Sequence, residues 1–267
     1  MAFRGSPIGV GTDIAGSIRI PSLCCGTYGF KPTADRVPWA GQVSGAMEGV
    51  PGIKPSAGPL ANSFEDLDLF MRTIIGAEPW KYDATASGAP WSGAASGARK
   101  QKLTIGVLPE HPQFPFHPPV RRALKSAAEA LKGKGHDIVD LAEDSDRDFA
   151  YGNRLAFQNF VYGPHADHLE TSGEPPVKSV AARAHPMFTG GFPVDMALEP
   201  FEKIDELHKA KSKYADAWRK VWVEKKLDVI LTVGAQNTAV PHDTYGWAPY
   251  TCVWNLLDVS TFVFVGI

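Results

Sequence analysis

From Ser63 onward the apolar positions Phe64, Leu67, Phe70, Met71, Ile74 and Ile75 recur at intervals of three and four, the spacing of one face of an α-helix. Ser63 precedes the run and forms a capping box with Asp66, while Gly76 follows the last apolar position; these signals predict where the helix starts and stops. A second helix is predicted from Pro118-Pro119, with Val120, Ala123, Leu124, Ala127, Ala128 and Leu131 on one face and Gly133 and Gly135 to stop it. Two short strands bracket it, one read from the alternation of Leu103, Ile105 and Val107 and the other from Ile138 to Leu141. Strand, helix, strand in that order predicts an α/β layer architecture. Between about Glu199 and Lys225, Phe201, Ile204, Leu207, Tyr214, Trp218 and Val221 share a face, which predicts a long helix. It leads into Asp228-Val229-Ile230-Leu231, read as a buried strand. Near the end, Tyr250 to Leu257 reads as a short helix and Thr261 to Val265 as a last apolar strand.

Residues 1 to 62 break this pattern. They are dense in Gly, Pro and Ser with little helical period, which predicts tight turns and a backbone that approaches something closely. Residues 84 to 100, rich in Ala, Ser and Gly, read as a surface loop, and no internal repeat is visible. With 44% hydrophobic and 21% charged residues in 267, the chain can bury a core, and intrinsic disorder is excluded as its dominant state. Lys plus Arg number 27 against 29 Asp plus Glu, a formal charge of -2 with no basic run; nothing points to nucleic acid. The longest apolar stretches, such as the last eleven residues from Leu257, are too short and too polar to span a bilayer as a helix. No basic, apolar leader follows Met1, so a soluble, cytoplasmic chain is expected. Cys24, Cys25 and Cys252 form no CxxC pair and no disulfide framework, which predicts buried free thiols.

The chemistry concentrates in one segment. Gly9-Val10-Gly11-Thr12-Asp13-Ile14-Ala15-Gly16-Ser17-Ile18-Arg19-Ile20-Pro21 continues to Cys25-Gly26-Thr27-Tyr28-Gly29-Phe30-Lys31-Pro32-Thr33. A serine hydroxyl needs a base to become a good nucleophile, and the oxyanion that it generates needs fixed donors. Ala15 and Gly16 are small enough for the N–H groups of Ile14, Ala15, Gly16 and Ser17 to converge on one oxygen. Asp13 and Arg19 flank the serine, and a bidentate pair between them would lock the loop.

The two linked runs resemble the amidase signature family, the first its nucleophile loop and the second its Gly-x-Lys-Pro-Thr segment. Weaker likenesses are Gly58-Pro59-Leu60-Ala61, Ile105-Gly106-Val107, Leu227-Asp228-Val229-Ile230 and Val253-Trp254-Asn255-Leu256-Leu257-Asp258; the last looks most like fungal general amidases. The resemblance implies a partial amidase signature fold, a mixed twisted β-sheet sandwiched between helices, with residues 1–267 as a single amidase domain. It implies hydrolysis of a small-molecule carboxylic acid amide without a cofactor. It assigns Ser17 as the acylated residue, the amides of Ile14, Ala15, Gly16 and Ser17 as the oxyanion hole, and Asp13 and Arg19 as loop supports.

Members of that family are longer, and their nucleophile works with an upstream lysine and a bridging serine in a Gly-Ser-Ser-Gly-Gly-like segment. Neither stands in the sixteen residues before Ser17. Ser6 lacks the bridging context, and Lys31 and Lys54 are poor substitutes for the base. The expectation is therefore a chain truncated at its N-terminus, and at its C-terminus as well, with impaired activity. A catalytically dead remnant that binds amide-like ligands or a partner chain is the alternative, and a glutaminase-like subunit of a tRNA-dependent amidotransferase a weaker one. His165, Asp167, His168 and Glu170 offer metal-ligand types at helical spacing but read better as a solvated helix end. The Gly5, Gly9 and Gly11 region has neither phosphate-loop nor Rossmann spacing, and no Gly-x-Ser-x-Gly elbow exists. Trp218 and Trp222, one turn apart, read as core. Oligomeric state is open.

Overall fold

A computed structural model describes residues 1–42, 52–92, 101–141, 145–162, 172–175 and 191–264. The fold is α/β, and the chain divides into two compact units. The first comprises Met1–Gln42, Lys54–Gln101 and Tyr250–Ile267, the second Val43–Ile53 and Lys102–Pro249.

In the first unit, strands β1 (Ile8–Asp13), β2 (Tyr28–Lys31), β3 (Ser56–Ala61) and β7 (Thr261–Val263) form an antiparallel sheet in the order β1-β3-β2-β7. The register runs from Ile8 opposite Ala61 to Asp13 opposite Ser56, and Lys31 lies opposite Thr261. Residues 1 to 62 are thus not mainly turns: three strands and helix α1 (Arg19–Cys25) lie there. Gly58 allows two of these strands to pack closely. A Cβ on Gly58 would stand 2.2 Å from the Phe30 carbonyl oxygen, so the apolar alternation that normally marks a strand is missing from β3. Helix α2 (Phe64–Gly76) starts as its cap predicts, with the Asp66 N–H donated to Ser63 Oγ at 3.1 Å. Its Met71 and Ile75 pack with Val37 and Ala57 inside a shell of Phe30, Trp39, Phe70, Ile74, Trp80 and Trp91; full burial of such side chains is worth about 1.5–3 kcal/mol each.

In the second unit a parallel sheet has the order β5-β4-β6, built from β4 (Thr104–Val107), β5 (Asp137–Asp140) and β6 (Val229–Leu231). Helix α3 (Pro118–Gly133) connects β4 to β5. Its predicted face is half-buried except for Ala123, which is exposed. Helices α4 (Phe149–Tyr162) and α5 (Pro200–Glu224) meet through Tyr151 and Tyr214, whose ring centroids are 6.0 Å apart. Trp218 is buried with the Arg147 guanidinium 5.3 Å from its ring, and Trp222 is half-buried.

Three expectations are corrected. Strand β6 is not buried: Val229 is 41% exposed, because β6 lies at the edge of its sheet. Phe201 does not join the buried face of α5; it sits in the first turn and is 82% exposed. Cys24 and Cys25 are exposed on the last turn of α1, and Cys252 alone is buried. The final strand is described as far as Val263 and ends there, while Val265 lies outside the described residues. Helix α6 (Pro249–Leu256) is buried along its whole length, so its polar Thr251 and Asn255 must find partners inside the protein.

Candidate active site

Strand β1 delivers the chain to Asp13, and α1 begins at Arg19. Between them, residues 14–18 wrap around the Asp13 carboxylate. Its Oδ1 accepts the Gly16 N–H at 2.8 Å, and its Oδ2 the N–H groups of Ile18 at 3.1 Å and Arg19 at 3.4 Å. The Arg19 guanidinium closes on the same carboxylate through Nε to Oδ2 at 3.0 Å and Nη2 to Oδ1 at 2.9 Å, a fork-to-fork pairing that fixes orientation as well as distance. Both side chains are buried.

Helix α6 completes this arrangement. Arg19 Nη1 donates to the Thr251 carbonyl at 2.8 Å and Nη2 to Asn255 Oδ1. Asn255 Nδ2 donates to Asp13 Oδ1 at 3.0 Å, and the Thr251 hydroxyl donates to the Ala15 carbonyl at 2.7 Å. Thr251 and Asn255 are four residues apart and share a helix face; that spacing is the signal by which sequence reasoning could have found them, and it assigned neither a role. Burial raises the Asp13 pKa, but the hydrogen bonds and charge of Arg19, with the bonds from Asn255 and Ile18, outweigh it and the net shift is downward. The Asp13 carboxyl is therefore held as the carboxylate near neutral pH.

Gly16 adopts φ of +137°, and a Cβ there would lie 2.5 Å from Thr251 Oγ1 and 2.6 Å from Ile20 Cδ1. Only glycine fits this conformation and this approach. Ser17 follows it and is exposed. Among the described residues, neither the Ser17 hydroxyl nor the N–H groups of Ile14, Ala15 and Ser17 take a hydrogen-bond partner. Gly16 differs from the other three, because its N–H is already donated to Asp13.

The sequence candidates for a base fall elsewhere. Lys54 is exposed and pairs with Asp35 at 2.6 Å. The Ser6 hydroxyl donates to the Ile8 carbonyl at 2.7 Å. Lys31 is fully buried at the end of β2 and donates to the Pro32 carbonyl at 2.7 Å. His165, Asp167, His168 and Glu170 lie outside the described residues, among which no His, Cys, Asp and Glu group is placed to hold a metal. No described helix is long and apolar enough to cross a membrane.

The family of proteins described as amidases matches residues 1–165, a stretch that includes the whole Asp13–Arg19 turn and the Gly29–Thr33 segment. The chain belongs to the amidase family. It is 39% identical over 265 residues to an amidase of Gibberella moniliformis, covering 98% of this chain and 48% of that one. It is 31% identical over 280 residues to an acetamidase of Aspergillus oryzae, covering 98% and 49%. Among solved structures it is similar to a fatty acid amide hydrolase, with TM-score 0.79 and 29% identity over 98% of this chain and 45% of that one. A bacterial aryl acylamidase at 18% identity, with TM-score 0.61 over 97% of this chain and 55% of that one, shares the fold. The chain spans about half the length of the amidase relatives that it matches.

Proposed function

We propose that this chain carries the acyl-transfer half of an amide hydrolase, with Ser17 as nucleophile and a small-molecule carboxylic acid amide as substrate, acting in the cytoplasm. The observation that carries this reading is the turn itself. Among the described residues, an exposed serine without a partner adjoins three unbonded N–H groups, on a backbone held by a buried Asp13–Arg19 pair and by Thr251.

The chemistry follows from that arrangement. Ser17 Oγ attacks the amide carbonyl carbon as its proton passes to a base, and the carbonyl oxygen becomes an oxyanion held by the N–H groups of Ile14, Ala15 and Ser17. Each such donor is worth about 3 kcal/mol in the transition state. Collapse of this intermediate breaks the C–N bond, and the amine leaves with a proton from the base. Water then attacks the acyl-serine, releasing the acid and restoring the hydroxyl. Both steps balance without a cofactor. Gly16 contributes its conformation and its bond to Asp13, leaving three amides for the oxyanion.

Among the described residues no lysine or histidine is hydrogen-bonded to Ser17. On this reading the 267 residues taken alone are slow. Loss of the base in serine hydrolases leaves roughly 10³ to 10⁴-fold of catalysis over water. The test is intact mass after incubation with a fluorophosphonate, on this chain and on the same chain joined to the preceding segment of the Gibberella moniliformis amidase. The proposal predicts little adduct on the chain alone, a stoichiometric adduct on the joined protein, and none when Ser17 is replaced by Ala in it. Rapid Ser17-dependent labelling of the chain alone would overturn the impaired reading. A folded joined protein that takes no label would overturn the assignment of Ser17.

A further inference from the structure

Lys31 is the one fully buried lysine among the described residues, and the acyl-transfer chemistry leaves it unused. A buried ammonium is costly, and pairing it does not in general recover the cost in stability. Its surroundings connect it to the nucleophile turn. Lys31 Nζ lies 3.8 Å from Asp258 Oδ1. The same Oδ1 accepts the Ala34 N–H at 2.8 Å, and the Asp258 N–H donates back to the Asn255 carbonyl at 3.1 Å. Asn255 in turn donates to Asp13. Beside this path, Ser260 Oγ accepts the Thr33 N–H at 3.0 Å, which ties the segment after β2 to the chain after α6 a second time.

We propose that Lys31 is a positioning residue for the nucleophile turn: paired with Asp258, its buried ammonium fixes the end of α6, from which Asn255 and Thr251 grip residues 13–19. This rests on the reading of Ser17 as nucleophile. Lys31 does not touch substrate and is not the base.

Three charged groups bear on Lys31 from the elements around it: Asp258 from the turn after α6, Arg19 from α1 and Asp13 from β1. Burial lowers its pKa most, Asp258 opposes that, Arg19 adds to it and Asp13 opposes it, leaving the ammonium at about 8. Loss of the proton removes the cation facing Asp258, so the turn should respond in the same pH range.

The test follows the backbone amides of Gly16, Ile18 and Ala34 by NMR in the whole chain from about pH 6.5 to about pH 9.5. The expected result is a shared titration step near pH 8 in wild type that is lost in Lys31→Met. Asp258→Asn, which removes the charge that favours the ammonium, should move the step to lower pH. Flat Gly16 and Ile18 signals in wild type, or an unchanged step in Lys31→Met, overturn the proposal. If Lys31→Met fails to fold, Asp258→Asn decides, since a step that it leaves in place also overturns the link. A merely structural lysine would lower stability on replacement and produce no shared step. Because the readout is the turn and not Ser17 reactivity, a failure here leaves the nucleophile assignment standing, and absent labelling with the step intact does the reverse.

Discussion

Replacing Asp13 by Asn alters the group around which the turn is built. The Asp13 carboxylate accepts from Gly16, Ile18 and Arg19 N–H groups, from Arg19 Nε and Nη2, and from Asn255 Nδ2. An Asn side chain presents one oxygen and one NH2, so one side of the site sets donor against donor. The larger effect is on Arg19, whose side chain is 1% exposed and would be left without its counter-ion. Breaking a buried pair by removing one partner costs about 3–5 kcal/mol, a large share of the roughly 5–15 kcal/mol by which domains are stable. The assay is denaturant unfolding at pH 7, followed by tryptophan fluorescence, on wild type, Asp13→Asn, Arg19→Met and the double variant. The double variant buries no lone charge and should be less destabilised than the sum of the singles, a coupling above about 1 kcal/mol. A loss under about 1 kcal/mol in Asp13→Asn would refute the reasoning, because that magnitude belongs to exposed pairs.

Gly16→Ala puts a methyl against Thr251 Oγ1 and Ile20 at a positive φ; it should cost about 1–3 kcal/mol and abolish Ser17 labelling in the joined protein, as read by denaturation and intact mass. Lys31 has a folded pKa of about 8 against an ordinary 10.5, so between those values the unfolded chain holds the extra proton and stability should rise with pH. The rise is on the order of 3 kcal/mol, is complete above the unfolded value, is lost as pH falls through about 8, and should be absent in Lys31→Met; parallel pH–stability curves for the two proteins would disprove it. Of the three cysteines, Cys24 and Cys25 should react with a thiol reagent in the native chain. Cys252, whose pKa burial pushes up strongly, should react only on unfolding; mass mapping after a short pulse decides this.

Helices α2, α3 and α5 were legible because their apolar positions repeat, whereas α1 and α4 were not read from the sequence. Ser63 caps α2, Pro118 opens α3, and the face of Leu207, Tyr214, Trp218 and Val221 places α5. Strand β3 was not legible. Its sequence, Ser-Ala-Gly-Pro-Leu-Ala, has no β-branched residue, and its glycine is there for the close approach of Phe30. The edge position of β6 could not be read from an apolar run, since such a run looks the same at the centre of a sheet and at its margin. In the site, Asp13 and Arg19 could be matched as opposite charges flanking a Gly-rich turn. The four-residue spacing of Thr251 and Asn255 puts them on one helix face, but nothing in the sequence joins that face to the turn, which they reach from more than 230 residues away along the chain. The fate of the Gly16 N–H was also hidden, since nothing in a sequence tells which amides of a turn point to a carboxylate and which to an open site.

The central claim is that Ser17 takes the acyl group, and the most direct measurement is the site of acylation itself. The joined protein is mixed with p-nitrophenyl acetate, quenched in acid within the burst, digested and mapped by mass. The account predicts one acetyl group on the peptide containing Ser17, on the Ser17 oxygen, and no burst in Ser17→Ala. An acetyl group on another residue, or a burst that survives Ser17→Ala, would contradict it.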